Sequence, residues 1–269
     1  MIRLDPDGFG LAEPTSYIDG PAGPIAVYER AGNGIPLVLI HGINMRAAVW
    51  ADVVELLDDR HIITLDLRGH GQSTDAGPFS VADYAADVLA VVKSLTNSQV
   101  QLAGVSIGGL VACFLAQERP EIVQSVTAFG SALKATHRDL EAGMSRLREI
   151  GVDAYFSHSL TQGTLADSHN PLRLVWLATL DRAPVDVVEA ITRAGFGEDL
   201  TETIRSSGRP VQVVTGELDQ TCSPEAGSEL ASAAGGTSRM VPGAGHVLPI
   251  EDPAECAAII TSALGVSTT

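Results

Sequence analysis

A serine at position 106 stands among glycines in the stretch GVSIGG, residues 104–109, between two apolar runs. Glycine inside a strand or helix costs roughly 0.5–1 kcal/mol relative to alanine, so three glycines around one serine need a compensating purpose. VQLAGV before the serine reads as a strand and IGGLVACFLAQERP after it as a helix. Gly-x-Ser-x-Gly therefore falls on a sharp strand-to-helix turn, where a side chain at Gly104 or Gly108 would strike a neighbouring segment. Such a turn pushes the Ser106 hydroxyl out of the sheet. It also leaves the Ile107 N–H at a helix N-terminus, where it can donate to a developing oxyanion. The simpler role for this serine is to cap the helix.

A serine hydroxyl is a weak nucleophile near neutrality and needs a general base, which in turn needs an orienting acid. PVQVVTGELDQTCSP carries Asp219 in the loop just after a strand, and RMVPGAGHVLPIEDP carries His246 in the loop after the next one. Ser106, Asp219 and His246 thus fall at the carboxyl ends of strands, on one edge of a sheet. Glu217, two residues before Asp219, is the alternative acid.

The elements that must position these residues are legible as alternation. Apolar runs at 24–29, 36–42, 61–67, 100–106, 123–130, 210–216 and 237–243 read as strands, and helix-period segments lie between them. In SVADYAADVLAVVKSL, for example, Val81, Tyr84, Ala85, Val88, Leu89 and Val92 share one helix face, with Ser80 where an N-cap belongs. Strands alternating with helices imply an α/β fold with a mostly parallel central sheet covered by helices on both faces. The alternation stops between Ser131 and Gly208, where helical segments are expected around Leu140–Ile150, Leu172–Leu180 and Pro184–Ala194. We expect residues 1–130 and 209–269 to form the core and 131–208 a helical cap over the carboxyl ends of the strands.

The hydrophobic fraction of 45% suffices for a substantial core, and the formal net charge of −16 argues against nucleic acid and anionic membrane surfaces as partners. MIRLDPDGFGLAEPTS carries early charges and no apolar stretch, so no secretory signal is expected. No apolar run approaches the ~20 residues of a membrane span. Three irregularly spaced cysteines form neither a zinc pattern nor a disulfide framework. A reduced, cytoplasmic protein is expected, with room for a homo-oligomer. Asp66 has no second ligand at metal-binding spacing, so neither metal nor cofactor is called for.

Two further motifs complete a pattern: HGIN, residues 41–44, after the strand PLVLI, and DLRGHGQS, residues 66–73. With Ser106, Asp219 and His246 in this order, the chain from about Ile25 to Leu264 resembles the α/β-hydrolase superfamily. It is most similar to the small, capped, cofactor-free enzymes: 3-oxoadipate enol-lactonases, related ester and enamide hydrolases, and the haloperoxidase/perhydrolase group. The resemblance implies a second oxyanion donor at the Ile43 N–H, a structural role for the Asp66–Ser73 loop, and Asp219 rather than Glu217 as the acid. It departs from its relatives at HGIN, which is not His-Gly-Gly-Gly, and at Val105 and Ile107, where His and Met or Leu are more frequent. Ser106 in place of aspartate argues against haloalkane dehalogenases and epoxide hydrolases.

The expected function is hydrolysis of a small carboxylic ester or lactone by Ser106, Asp219 and His246 through an acyl-enzyme. The alternatives are carbon–carbon or enamide hydrolysis, perhydrolase chemistry, or a receptor-like relative that binds with little turnover. Arg46, beside the HGIN loop, is placed to meet a substrate carboxylate, and Trp176 to line the cap side of the pocket. His41 and His70 are expected to hold loops together by hydrogen bonds. The acidic field slows an approaching anion and no basic cluster surrounds the motif loops, so a neutral or singly charged substrate is expected.

Overall fold

Strands sealed on both faces must be apolar at successive residues, and the two sides of each strand then feed different cores. In the computed structural model, which describes residues 13–57, 59–134, 139–159, 164–166 and 183–263, β2 (Gly23–Arg30) shows the division. Ile25 and Val27 join one apolar cluster, while Ala26 and Tyr28 join the other. The remaining strands are β1 (Ser16–Gly20), β3 (Asn33–Ile40), β4 (Arg60–Leu65), β5 (Val100–Val105), β6 (Val123–Phe129), β7 (Val211–Gly216) and β8 (Thr237–Val241). They form one eight-stranded sheet in the order β1-β2-β4-β3-β5-β6-β7-β8. Both β2 pairings are antiparallel and all the others parallel.

All seven strands expected from the sequence are present, and β1 is an addition. Its sequence, SYIDG, alternates half-buried with exposed positions and packs mainly through Ile18 against the sheet. An edge strand of this kind needs no continuous apolar run, which is the signal that marked the buried strands.

The helices α1 (Ala51–Leu56), α2 (Val81–Leu95) and α3 (Ile107–Glu118) follow, α2 packing on β1 and β2 and α3 on β5 and β6. At the start of α2, Ser80 and Asp83 form a reciprocal capping box, as the Ser80 position implied. Between β6 and β7 lie α4 (Leu140–Ile150), α5 (Val152–Ser159) and α6 (Val185–Gly197). The α4 bounds match expectation. α5 was not anticipated, because VDAYFSHS is too short and polar to show a helical period. Pro184 sits at the N-cap of α6 with extended ψ, one residue outside the helix rather than in its first turn. The segment expected at Leu172–Leu180 lies outside the described residues.

These inserted helices are joined to one another and to the core. Arg193 on α6 reaches Glu141 on α4 and Glu189 on its own helix, and Arg148 on α4 also pairs with Glu189. Met144, Leu147, Phe156 and Val188 belong to the same apolar cluster as Trp50 and Phe129. After β7 come α7 (Pro224–Ala234), the one-turn helix Leu248–Glu251 and α8 (Pro253–Ala263). Cys113, Cys222 and Cys256 are free and buried. Among the described residues no helix is long and apolar enough to cross a membrane.

Candidate active site

Ser106 occupies the turn between β5 and α3 with φ 57° and ψ −123°, a backbone conformation that a non-glycine residue rarely adopts. Close packing enforces it. A methyl group at Gly104 would collide with the Gly108 carbonyl, and one at Gly108 with the Ile40 carbonyl across on β3. The Ser106 N–H donates to the Phe129 carbonyl at 2.8 Å, and the Ser131 hydroxyl donates to the Ser106 carbonyl at 2.7 Å. From Val100 to Cys113 every residue is buried except Ser106. Its side chain makes no capping bond to α3 although it stands at the N-cap, so the capping role considered from the sequence is not the one it plays.

Asp219 and His246 meet in the loops that follow β7 and β8. The His246 Nδ1 lies 2.9 Å from Asp219 Oδ2, with both side chains buried. The other carboxylate oxygen, Oδ1, accepts the Thr221 and Cys222 N–H groups, each at 2.8 Å. With both oxygens engaged, the carboxylate has one orientation, and its proximity assigns the imidazole proton to Nδ1. Nε2 is then left as the acceptor. The end of β6 links this pair to the serine: Phe129 binds the Ser106 N–H, and a methyl group at the next residue, Gly130, would sit 3.0 Å from His246 Nδ1 and 3.2 Å from Asp219 Oδ2. No hydrogen bond joins Ser106 Oγ to His246 Nε2 among the described residues, and in catalytic pairs of this kind that bond often tightens only when substrate is bound.

Glu251 steadies the histidine from outside the motif. Its Oε1 accepts the Val247 N–H and its Oε2 accepts those of Gly245 and Ala166, all at 2.9 Å, so it brackets His246 on both sides. The sequence offers no signal for this role, since an acid five residues beyond the histidine belongs to no motif. Glu217, in contrast, is exposed and accepts the Gly243 N–H at 2.9 Å. It has no contact with His246.

The HGIN loop is held from beneath. Leu67 N–H donates to His41 Nε2 at 2.9 Å, and His41 Nδ1 lies 2.7 Å from the Gly42 carbonyl. Asn44, at φ 59°, donates its N–H to His70 Nε2 at 3.1 Å. Both histidines therefore act as the loop ties expected of them. Asp66 extends the support, accepting Ala47 N–H, Gln72 N–H and the Tyr28 hydroxyl, while Arg68 grips Asp87 through two bonds of 2.6 Å. Ile43 and Ile107 line one cleft together with Ser106. Ile107 is the first residue of α3, so its N–H has no partner within the helix. The α6 helix presses on this corner, and a methyl group at Gly195 would collide with Ile43 Cδ1.

Arg46 follows the HGIN loop and is half-buried. Its charge acts on Asp66 and Tyr28, and it is not among the residues lining the cleft. The charged residues that do line it, Lys134 and Glu198, were missed because they fall in a stretch without motifs. Trp176 lies outside the described residues. Among the described residues, no group of three or more His, Cys, Asp or Glu side chains is arranged to hold a metal ion.

Burial, reinforced by the nearby His70, holds His41 well below the usual histidine range. The unfolded chain takes up this proton near pH ~6.5, whereas the folded chain does so only at lower pH. Stability from this group is therefore complete above about pH 6.5 and is lost as pH falls below it. In a melting series from about pH 8 to about pH 5, His41→Gln, which keeps an acceptor for Leu67, should decline less steeply than the wild type. Equal slopes would show that His41 does not contribute.

The family model described as the alpha/beta hydrolase family matches residues 37–259. The chain belongs to this family. It is 35% identical over 127 residues to (E)-2-((N-methylformamido)methylene)succinate hydrolase of Acinetobacter baylyi, covering 46% of this chain and 48% of that protein, about half its length. It is 29% identical to 2-(acetamidomethylene)succinate hydrolase of Mesorhizobium japonicum over 81% of this chain and 84% of that one. Among solved structures, the enol-lactonase from Burkholderia xenovorans superposes with a TM-score of 0.82 at 21% identity, covering 93% of this chain and 99% of that one.

Proposed function

We propose that the protein is a serine hydrolase of small carboxylic esters or lactones, with Ser106 as nucleophile, His246 as general base and Asp219 as the acid that orients it. His246 Nε2 takes the hydroxyl proton as Ser106 Oγ attacks the carbonyl carbon. The proton passes to the leaving alkoxide, and the acyl group stays on Ser106. Water then attacks the acyl-enzyme by the same route, releasing the acid and restoring the serine. The N–H groups of Ile43 and Ile107 hold the oxyanion, a contribution of about 3–4 kcal/mol per donor in a comparable enzyme. We read residues 131–208 as a cap over this site, supported by the packing of α6 on Ile43. The free, buried cysteines fit a cytoplasmic location.

The observation that carries this reading is the buried Asp219–His246 hydrogen bond of 2.9 Å, with Asp219 Oδ1 pinned by two amides. The likeness to the Mesorhizobium protein over most of both chains favours a second reading, enamide hydrolysis of an amidomethylene succinate on the same residues. One assay separates the two. Activated esters, lactones and 2-(acetamidomethylene)succinate are offered with EDTA present, and products are identified by mass. We expect ester or lactone turnover to exceed enamide turnover. Faster enamide cleavage would establish the second reading, and activity that required an added divalent ion would contradict both.

A further inference from the structure

Glu198 follows the last turn of α6 and faces two ways. Its Oε2 accepts the Val81 N–H at 3.0 Å, filling an orphan donor at the start of α2. The same half-buried residue lines the cleft that holds Ser106, Ile43 and Ile107. Its second oxygen, Oε1, has no hydrogen-bond partner among the described residues. The other charge on the cleft wall does not neutralise it: Lys134 Nζ lies 3.7 Å from the Asp199 carboxylate. Most of the remaining wall is apolar, including Leu110, Leu133 and Phe196.

We propose that Glu198 Oε1 receives a hydrogen-bond donor on the substrate, such as a hydroxyl, a carboxamide N–H or an ammonium group, and that the site rejects a carboxylate at the same place. The inference rests on Ser106 being the nucleophile of this cleft. A carboxylate oxygen partly stripped of water regains what it lost only by meeting a donor. Burial, with the charge of Asp83 on the first turn of α2 adding to it, holds the Glu198 carboxyl above its usual range. That is the behaviour of an acid without a cationic partner. A substrate carboxylate brought beside it would set two like charges in a partly desolvated cleft. Relatives named for succinate substrates would then differ from this chain in the end group they accept.

The test uses 4-nitrophenyl esters of three acids that differ only at the far end: adipamic acid with a carboxamide, adipic acid with a carboxylate and hexanoic acid with a methyl group. For the wild type, kcat/KM for the adipamate ester should exceed that for the adipate monoester by about 10- to 100-fold. In Glu198→Gln this ratio should shrink about tenfold or more, through KM rather than kcat. Glutamine retains an acceptor for the Val81 N–H, so its melting temperature should match the wild type. Calorimetric binding of hexanamide against hexanoate, in the wild type and in Glu198→Gln, reads the same preference without turnover. An unchanged ratio in the variant, or a wild-type preference for the carboxylate, would overturn the role of Glu198. Absence of turnover on all three esters, with the calorimetric preference intact, would strike only at the ester-hydrolase reading.

Discussion

Ser106→Ala is expected to lower kcat by about 10⁶-fold, the size of loss seen when a triad serine is removed from a comparable hydrolase. The same variant should no longer react with a fluorophosphonate probe, which in the wild type should add once, at Ser106. The expectation follows from position as much as from residue type. Ser106 is the one residue of its strand–helix junction that is not buried, and it shares a cleft with both isoleucines assigned to the oxyanion. Alanine fits a φ of 57° no better and no worse than serine, so loss of activity cannot be traced to a relaxed turn. Matching melting curves would confirm that only the nucleophile had been removed. Turnover that survived the change would sink the mechanism.

Asp219→Asn should reduce kcat by about 10⁴-fold, as the equivalent change does in serine proteases. The hydrogen-bond pattern explains why so small a change costs so much. Two backbone N–H groups donate to the Oδ1 position, which must therefore be an oxygen. The asparagine amide is therefore obliged to present its NH₂ to His246 Nδ1. The imidazole must then carry its proton on Nε2, the atom that should accept the proton from Ser106. Glu217→Gln serves as the comparison. Its side chain is exposed and supports only the Gly243 N–H, which glutamine can also bind, so activity should change little. If Glu217→Gln proved the more damaging, the acid would have been misassigned.

The parts of this molecule that could be read from the sequence are those where geometry leaves few residue types. Gly104 and Gly108 are legible because a single methyl group at either would break the packing of β5, β3 and α3. Strands covered on both sides announce themselves by unbroken apolar runs, whereas β1, at the edge and half exposed, does not. Asp219 and His246 could be placed because each follows directly on a strand. Glu251 could not, since it acts on His246 only through backbone amides, which leave no trace in residue type. Arg46 shows how far sequence proximity reaches: it stands beside the HGIN loop, and in the fold its charge acts on the buried Asp66 carboxylate. Glu198 and Lys134 line the cleft from positions that carry no motif, and periodicity holds no record of which residues border a cleft.

Gly195 joins the inserted helices to the wall of the cleft at one crowded point. The α6 backbone lies against the end of the Ile43 side chain, and a methyl group at Gly195 would oblige that end to turn aside. Ile43 borders the same cleft as Ser106, so a bulkier residue in place of Gly195 would be felt in the shape of the cleft as well as in the helix that carries it.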